Sequence, residues 1–329
     1  MAGIAGAANA TISNCINNGE VRGNVAAGIV SYVYSNSKNM KIEKNVNNGN
    51  IKGKTASVGI THTNHGNVTY CENKGEITLY NPPESATYYL AGITAFNRGE
   101  VNKCKNEGKI NAIVTHKNGQ ILAIGGISSN NAGTIDSCYN LGEIYGENDS
   151  IDEVANTINI IGGIAATNTA YQDLYNNGKI IGIISNCYNT GKITSIKAGG
   201  ENSSNAAGIC AGNTTVIKNC YNIGALVAQH NTHPTYARNG GIIGYCEDGK
   251  YYTNGGMAEN CYYLNSVAES GCPANSNTDK SVVISAVSKT SSDMQKDEFV
   301  TLLNSGNETS KWKIVNSENN GYPILSWQD

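Results

Sequence analysis

A short phrase recurs along this chain and constrains its fold more tightly than any other feature. The stretch "AGITAFNRGEVNKCKNEGKI", residues 91–110, holds Asn-x-Gly-x-Val and then Asn-x-Gly-x-Ile nine residues later, with a cysteine between the copies. The second copy returns at Asn17, Asn47, Asn73, Asn106, Asn140, Asn176, Asn189 and Asn222, with Gly19, Gly49, Gly75, Gly108, Gly142, Gly178, Gly191 and Gly224 two residues on. Two further on stands Val21, Ile51, Ile77, Ile110, Ile144, Ile180, Ile193 or Leu226. A Gly-Ile pair recurs with the phrase, from Gly3 and Ile4 to Gly241 and Ile242, at intervals of about 25 to 45 residues. Self-similarity at such a period marks a solenoid.

The phrase has a physical meaning. Asparagine tolerates left-handed backbone and bonds its own main chain, and glycine reaches positive φ freely, so Asn-x-Gly predicts a tight turn. The β-branched residue after it suits a short strand. One repeat therefore reads as strand (AGITAF), turn (NRG), strand (EVNKC), turn (NEG), strand (KINAIV). Three short strands with corners between them make one coil of an all-β, right-handed, three-sided parallel β-helix. About eight coils at roughly 4.8 Å each give a rod on the order of 40 Å long. The repeat domain is expected over residues 1–265 and a C-terminal cap of helix and strands over 266–329.

Stacking brings like residues together. The motif asparagines form one row, and Asn64, Asn97, Asn131, Asn168 and Asn213, each four residues after the Ile of a Gly-Ile pair, form another. Amides in such rows satisfy groups that a turn leaves unpaired. Cys15, Cys71, Cys104, Cys138, Cys187, Cys220 and Cys261 share a slot two residues before a motif asparagine or its degenerate equivalent, and Asn45 and Leu174 fill it elsewhere. A slot shared by Cys and Leu is an inward packing position, where free thiols are expected. Cys210, Cys246 and Cys272 lie outside the slot and are the better disulfide candidates. Zinc needs locally spaced ligands, and the slot cysteines fall about 33 residues apart, so no metal is expected there.

Composition narrows the class. With 39% hydrophobic and 15% charged residues, 38 Gly and 5 Pro in 329, the chain is neither a disordered polyelectrolyte nor a membrane protein. No apolar run approaches the roughly 18 residues of a spanning helix, so no membrane insertion is expected. A formal charge of -3 gives no electrostatic reason for nucleic acid binding. The N-terminus carries no export signal and starts inside a repeat, which leads to the expectation of a longer, multidomain chain. In the tail, Ser292 and Gln295 read as a capping box, and Met294, Phe299, Leu302 and Leu303 as one apolar helix face. Trp312, Tyr322, Pro323 and Trp327 are expected to help close the open end of the solenoid.

The stretches "GGISSNNAGTIDSCYNLGEI" (residues 125–144) and "AGITAFNRGEVNKCKNEGKI" resemble the GLUG repeats of large bacterial surface proteins, found also in the N-terminal regions of some immunoglobulin A metallopeptidases. The resemblance covers roughly residues 1–265, and the tail is similar to segments that close such arrays. It implies a secreted or wall-associated solenoid and brings no catalytic residues with it. No His-Glu-x-x-His stretch is present in the chain.

The remaining question is where chemistry could reside. Glu20, Glu76 and Glu143, with Lys109, Lys179 and Lys192 at the same position of other repeats, read as an outer charge row rather than a catalytic pair. Parallel β-helices also carry polysaccharide lyases and glycosidases, which need clustered carboxylates or a basic residue in a groove. That is the alternative function, and the scattered carboxylates here do not favour it. His62 with His65, and His230 with His233, have His-x2-His spacing without a third ligand and read as loop histidines. No catalytic residue, cofactor or metal is expected.

Length variation points to an edge. Five Gly-Ile pairs lie eleven residues before their cysteine, whereas the step from third strand to next pair runs from 8 residues (Val21 to Ile29) to 20 (Ile144 to Ile164). The insertions YNPPESATYY, THKNGQ, GENDSIDEVANT, KAGGENSSN and QHNTHPTYARN therefore share one corner and line up along the rod. Loops on a rigid scaffold are the usual place for recognition. The chain thus reads as a non-catalytic module that adheres to a host glycan or protein, or acts as a rigid spacer. Its contact residues are expected to be Tyr88, Tyr89, His116, His233, Tyr236 and Arg238.

Overall fold

The computed structural model describes residues 1–34, 40–84, 86–115, 121–149, 158–173, 178–200, 202–247, 255–277 and 284–328. Three long sheets of 9, 16 and 12 strands, parallel throughout, wind the chain into a solenoid. One coil shows the course. Thr94–Asn97 lies in the first sheet; Glu100–Asn102 and Lys105–Asn106 lie in the second; Ile110–Val114 leaves along the third, and Leu122–Gly125 returns along it. Ser128–Asn131 then stacks on Thr94–Asn97 in register, Asn97 against Asn131.

The third sheet departs from a simple side. It is continuous through the long strand Ile51–Val58, beyond which its outgoing and returning strands separate into two stacks. Leu90, Ile110, Ile124, Ile144 and Ile161 fill the space between these stacks as a second core. The first core, enclosed by the coils, stacks Ile60, Ile93, Ile127, Ile164, Ile209 and Ile242 over one another, all fully buried. Full burial of such a side chain stabilises by roughly 1.5–3 kcal/mol, and only neighbouring coils provide the cover.

The expected asparagine rows are hydrogen-bonded ladders. Asn73 Nδ2 donates to Asn106 Oδ1 at 2.8 Å, Asn106 to Asn140 at 2.7 Å, and Asn189 to Asn222 at 2.8 Å. The same Nδ2 also donates to the carbonyl two residues on, as Asn106 does to Gly108. In the second row Asn64, Asn97, Asn131, Asn168 and Asn213 are joined at 2.8 to 3.0 Å. Asn140 donates directly to Asn189 at 2.8 Å, which leaves no rung for the copy around Asn176. Asn176 itself is outside the described residues, and Gly178 stands in a strand, Gly178–Ile181, paired antiparallel with Ala170–Asp173. Gly178–Ile181 therefore lies in an antiparallel pair and not in the stack of motif glycines.

The corners also work differently from the expectation of glycines at positive φ. The left-handed residue of the coil is the one before the cysteine slot: Asn14, Lys44, Tyr70, Lys103, Ser137, Asn186, Asn219 and Asn260 all have φ between 49° and 55°. The strand expected over EVNKC is therefore bent at Lys103. The motif glycines are needed for close approach instead. A Cβ on Gly108 would meet the Gly75 carbonyl and lie 2.6 Å from Asn73 Nδ2, and one on Gly92 would lie 2.5 Å from Asn106 Cγ. The Gly-Ile pair and the asparagine of one repeat thus meet in space.

All ten cysteines are free, including Cys210, Cys246 and Cys272. Cys246 occupies the ladder position of Asn213 in the next coil and Cys210 the core position of Ala165, while Cys246 and Cys272 lie in side-chain contact as free thiols. In the slot, Cys71 N donates to Cys104 Sγ and Cys104 N to Cys138 Sγ, each at 3.4 Å. Burial pushes the thiols of Cys71, Cys104, Cys187 and Cys261 up.

The tail continues the solenoid before it caps anything. Ala274–Asn275 and Ile284–Lys289 join the first and second sheets, past the expected boundary at residue 265. The helices Ser291–Met294 and Asp297–Asn304 and the ribbon of Trp312–Lys313 with Ile324–Leu325 then lie along the flank rather than across the end. They cover a column of tyrosines: Tyr139, Tyr188 and Tyr221 stack at 4.9 and 5.1 Å, and Phe299, Trp312 and Trp327 pack on them. Trp327 Nε1 donates to the Ser137 carbonyl at 2.9 Å. Thr290, not Ser292, caps the first helix by accepting from Asp293 N, and Leu302 faces outward, 39% exposed.

Candidate binding groove beside the loop edge

The insertions connect outgoing to returning strands of the third sheet, from Leu79 to Tyr88, Val114 to Leu122, Asn148 to Asn159, Lys197 to Ser204 and His230 to Ala237. These strands are in register, so the loops emerge in line along the rod. His116 and residues 150–157 of the longest insertion lie outside the described residues.

The edge residues do not share one environment. Tyr88 is fully buried between the two stacks and donates its hydroxyl to the Pro83 carbonyl, because strand alternation turns it inward. It is a core residue, not a contact. Tyr89 points to the opposite face and packs on Phe96, ring centroids 4.6 Å apart. Across the returning strands Tyr89 pairs with Ala123, Ala123 with Ile160, Ile160 with Asn205 and Asn205 with Arg238. Tyr89 and Arg238 are thus on one face but four coils apart, roughly 19 Å.

His233, Tyr236 and Arg238 do gather. His233 is exposed and sits 5.2 Å from the Tyr236 ring. His230 beside them is pinned: its Nδ1 accepts from His233 N at 3.0 Å, so Nε2 carries the proton and donates to the Asn202 carbonyl at 3.1 Å. Burial pushes its pKa down, which keeps the ring neutral. Neither ring nitrogen of His230 is left for a metal.

Tyr236 and Arg238 form part of the wall of a groove of about 910 Å³. Ile121, Ile158 and Ile160 provide an apolar side, and Tyr245, Glu247 and the last coil's Pro273, Asn275 and Ser276 provide the other. Tyr245 lies over Gly212, where an added Cβ would come 2.5 Å from the tyrosine Oη, so the glycine makes room for the ring. The polar groups of the groove are largely unspent. The Arg238 guanidinium makes one long hydrogen bond, Nη1 to Ser203 Oγ at 3.5 Å. Among the described residues the hydroxyls of Tyr236 and Tyr245 and the carboxylate of Glu247 have no hydrogen-bond partner, and Arg238 and Glu247 form no ion pair. Burial, and then the nearby Glu247 charge, push the Tyr245 hydroxyl up, so it remains a donor at neutral pH.

Tyr245, Glu247 and the three isoleucines were not evident from the insertions, because they stand on or beside regular strands. The column that holds Tyr245 runs Tyr32, Thr63, Phe96, Asn130, Thr167 and Gly212 through the earlier coils, so an aromatic there is not peculiar to the groove, and only the loss of side-chain bulk at Gly212 marks the place.

No family model and no curated relative matches this chain. Among solved structures it is similar to a crystal structure described as a "putative immunoglobulin A1 protease" from Bacteroides ovatus, with 17% identity, a TM-score of 0.48, and coverage of 86% of this chain and 78% of that one.

Proposed function

We propose that this chain is a non-catalytic binding module of a secreted or wall-associated bacterial surface protein, and that it holds a saccharide in the groove between Arg238 and Tyr245. One observation carries the reading: four polar side chains, Tyr236, Arg238, Tyr245 and Glu247, line one groove and, among the described residues, leave nearly all their hydrogen-bonding capacity unused. All four are half-buried and open to water, so a polar ligand that displaces that water finds donors and an acceptor already gathered on one wall. Tyrosine rings beside isoleucine offer flat apolar faces for the C–H side of a sugar ring. Glu247 is the one carboxylate among the described lining residues, whereas glycoside hydrolysis employs a pair. The surface setting rests on the resemblance to GLUG repeats.

The test is a glycan array probed with the whole chain and with Tyr236→Ala and Tyr245→Ala. Binding by the native chain, weakened about tenfold or more in both variants with unchanged melting temperature, is the expected result. An array without hits, or hits indifferent to both substitutions, contradicts the reading.

A further inference from the structure

Resting on that reading, we infer that the groove selects an acidic saccharide, a sugar whose carboxylate is held by Arg238 while its hydroxyls meet Glu247, Tyr236 and Tyr245. The argument begins with the guanidinium. Its planar fork presents five N–H donors matched to a carboxylate, and among the described residues only one is engaged, weakly, by Ser203. Among the described residues the two charged side chains, Arg238 and Glu247, thus line one groove without pairing with each other.

A ligand that fits both must offer an anion to one and hydrogen-bond donors to the other. A neutral sugar satisfies Glu247 but leaves the guanidinium without a charged partner. A sugar acid satisfies both, because its hydroxyls donate to Glu247 while its carboxylate accepts two parallel bonds from Arg238. Half-burial beside Ile160 and Tyr245 lowers the local dielectric, which strengthens that pairing relative to an exposed ion pair. The hydroxyls of Tyr236 and Tyr245 are placed to donate to ring or hydroxyl oxygens on either side.

The experiment is calorimetric titration of the whole chain with matched saccharides: trigalacturonate against galactotriose, and sialyllactose against lactose. At least one acidic member is expected to bind ten times or more tightly than its neutral match. Arg238→Gln is expected to erase that preference, and Arg238→Lys, which keeps the charge but not the fork, to lower it several-fold. Glu247→Gln is expected to leave the preference for acid in place. Circular dichroism and melting of each variant establish that it is folded. If neutral and acidic members bind equally, the selectivity is refuted while the saccharide reading stands. If none of these or of the arrayed glycans binds, both are refuted.

Discussion

Gly108 and Lys103 lie five residues apart and show how position, rather than residue type, decides what a corner needs. Lys103 carries φ 52° on a residue with a Cβ, whereas Gly108 does not lie at positive φ and is excluded from having a Cβ by the coil beneath it. Two opposite outcomes follow. Lys103→Gly relieves left-handed strain, offset by the greater freedom of glycine in the unfolded chain, and is expected to raise stability by about 0.5–1 kcal/mol. Gly108→Ala drives a methyl into the Gly75 carbonyl and the Asn73 amide and is expected to cost on the order of 1–3 kcal/mol. Urea unfolding of both variants checks the pair; a stabilising Gly108→Ala would mean the coils are not stacked as described. The sequence pattern located this corner but misassigned its mechanism. Four of the eight left-handed positions are asparagines, Asn14, Asn186, Asn219 and Asn260, and that bias was the visible trace of the true turn.

Elements followed the repeat where stacking was uniform and left it where distant contacts intervened. The strands after each Gly-Ile pair and after each motif glycine were legible because their periodicity is local. The copy at residues 174–180 carries the same phrase, yet Ala170–Asp173 and Gly178–Ile181 pair with each other, and only the register of Asn140 with Asn189 sets it apart from the stack. The tail was legible as helix and ribbon, but its place was not, since the tyrosine column it covers is assembled from four coils. Trp327 reaches back across that column to Tyr70, ring centroids 5.9 Å apart, and to the Ser137 carbonyl. Trp327→Ala is expected to cost about 2–3 kcal/mol and to raise amide exchange in residues 291–328 ahead of the solenoid. Unchanged exchange in that segment would contradict the flank docking.

At the scale of the whole molecule the repeated and unrepeated parts of the sequence have separate work. The asparagine ladders and isoleucine stacks join coil to coil along the rod, and each ladder ends where the repeat ends, with Cys246 following Asn213 and Tyr263 following Asn222. At that end Tyr245 follows Gly212 on the first sheet, the insertion before Ala237 brings Tyr236, and the groove opens. Of the edge residues expected from the sequence, Tyr236 and Arg238 reach it; Tyr88 could not be separated from them, because burial between two stacks depends on the doubling of the third sheet. The most direct measurement is a saccharide binding isotherm on two variants, Asn106→Ala in the ladder and Arg238→Ala in the groove, each with its unfolding curve. The prediction is that Asn106→Ala binds with native affinity while losing roughly 1–3 kcal/mol of stability, and that Arg238→Ala keeps its stability and loses binding. Lost binding in Asn106→Ala at temperatures where it is fully folded, with binding retained in Arg238→Ala, would contradict the division between corner and groove.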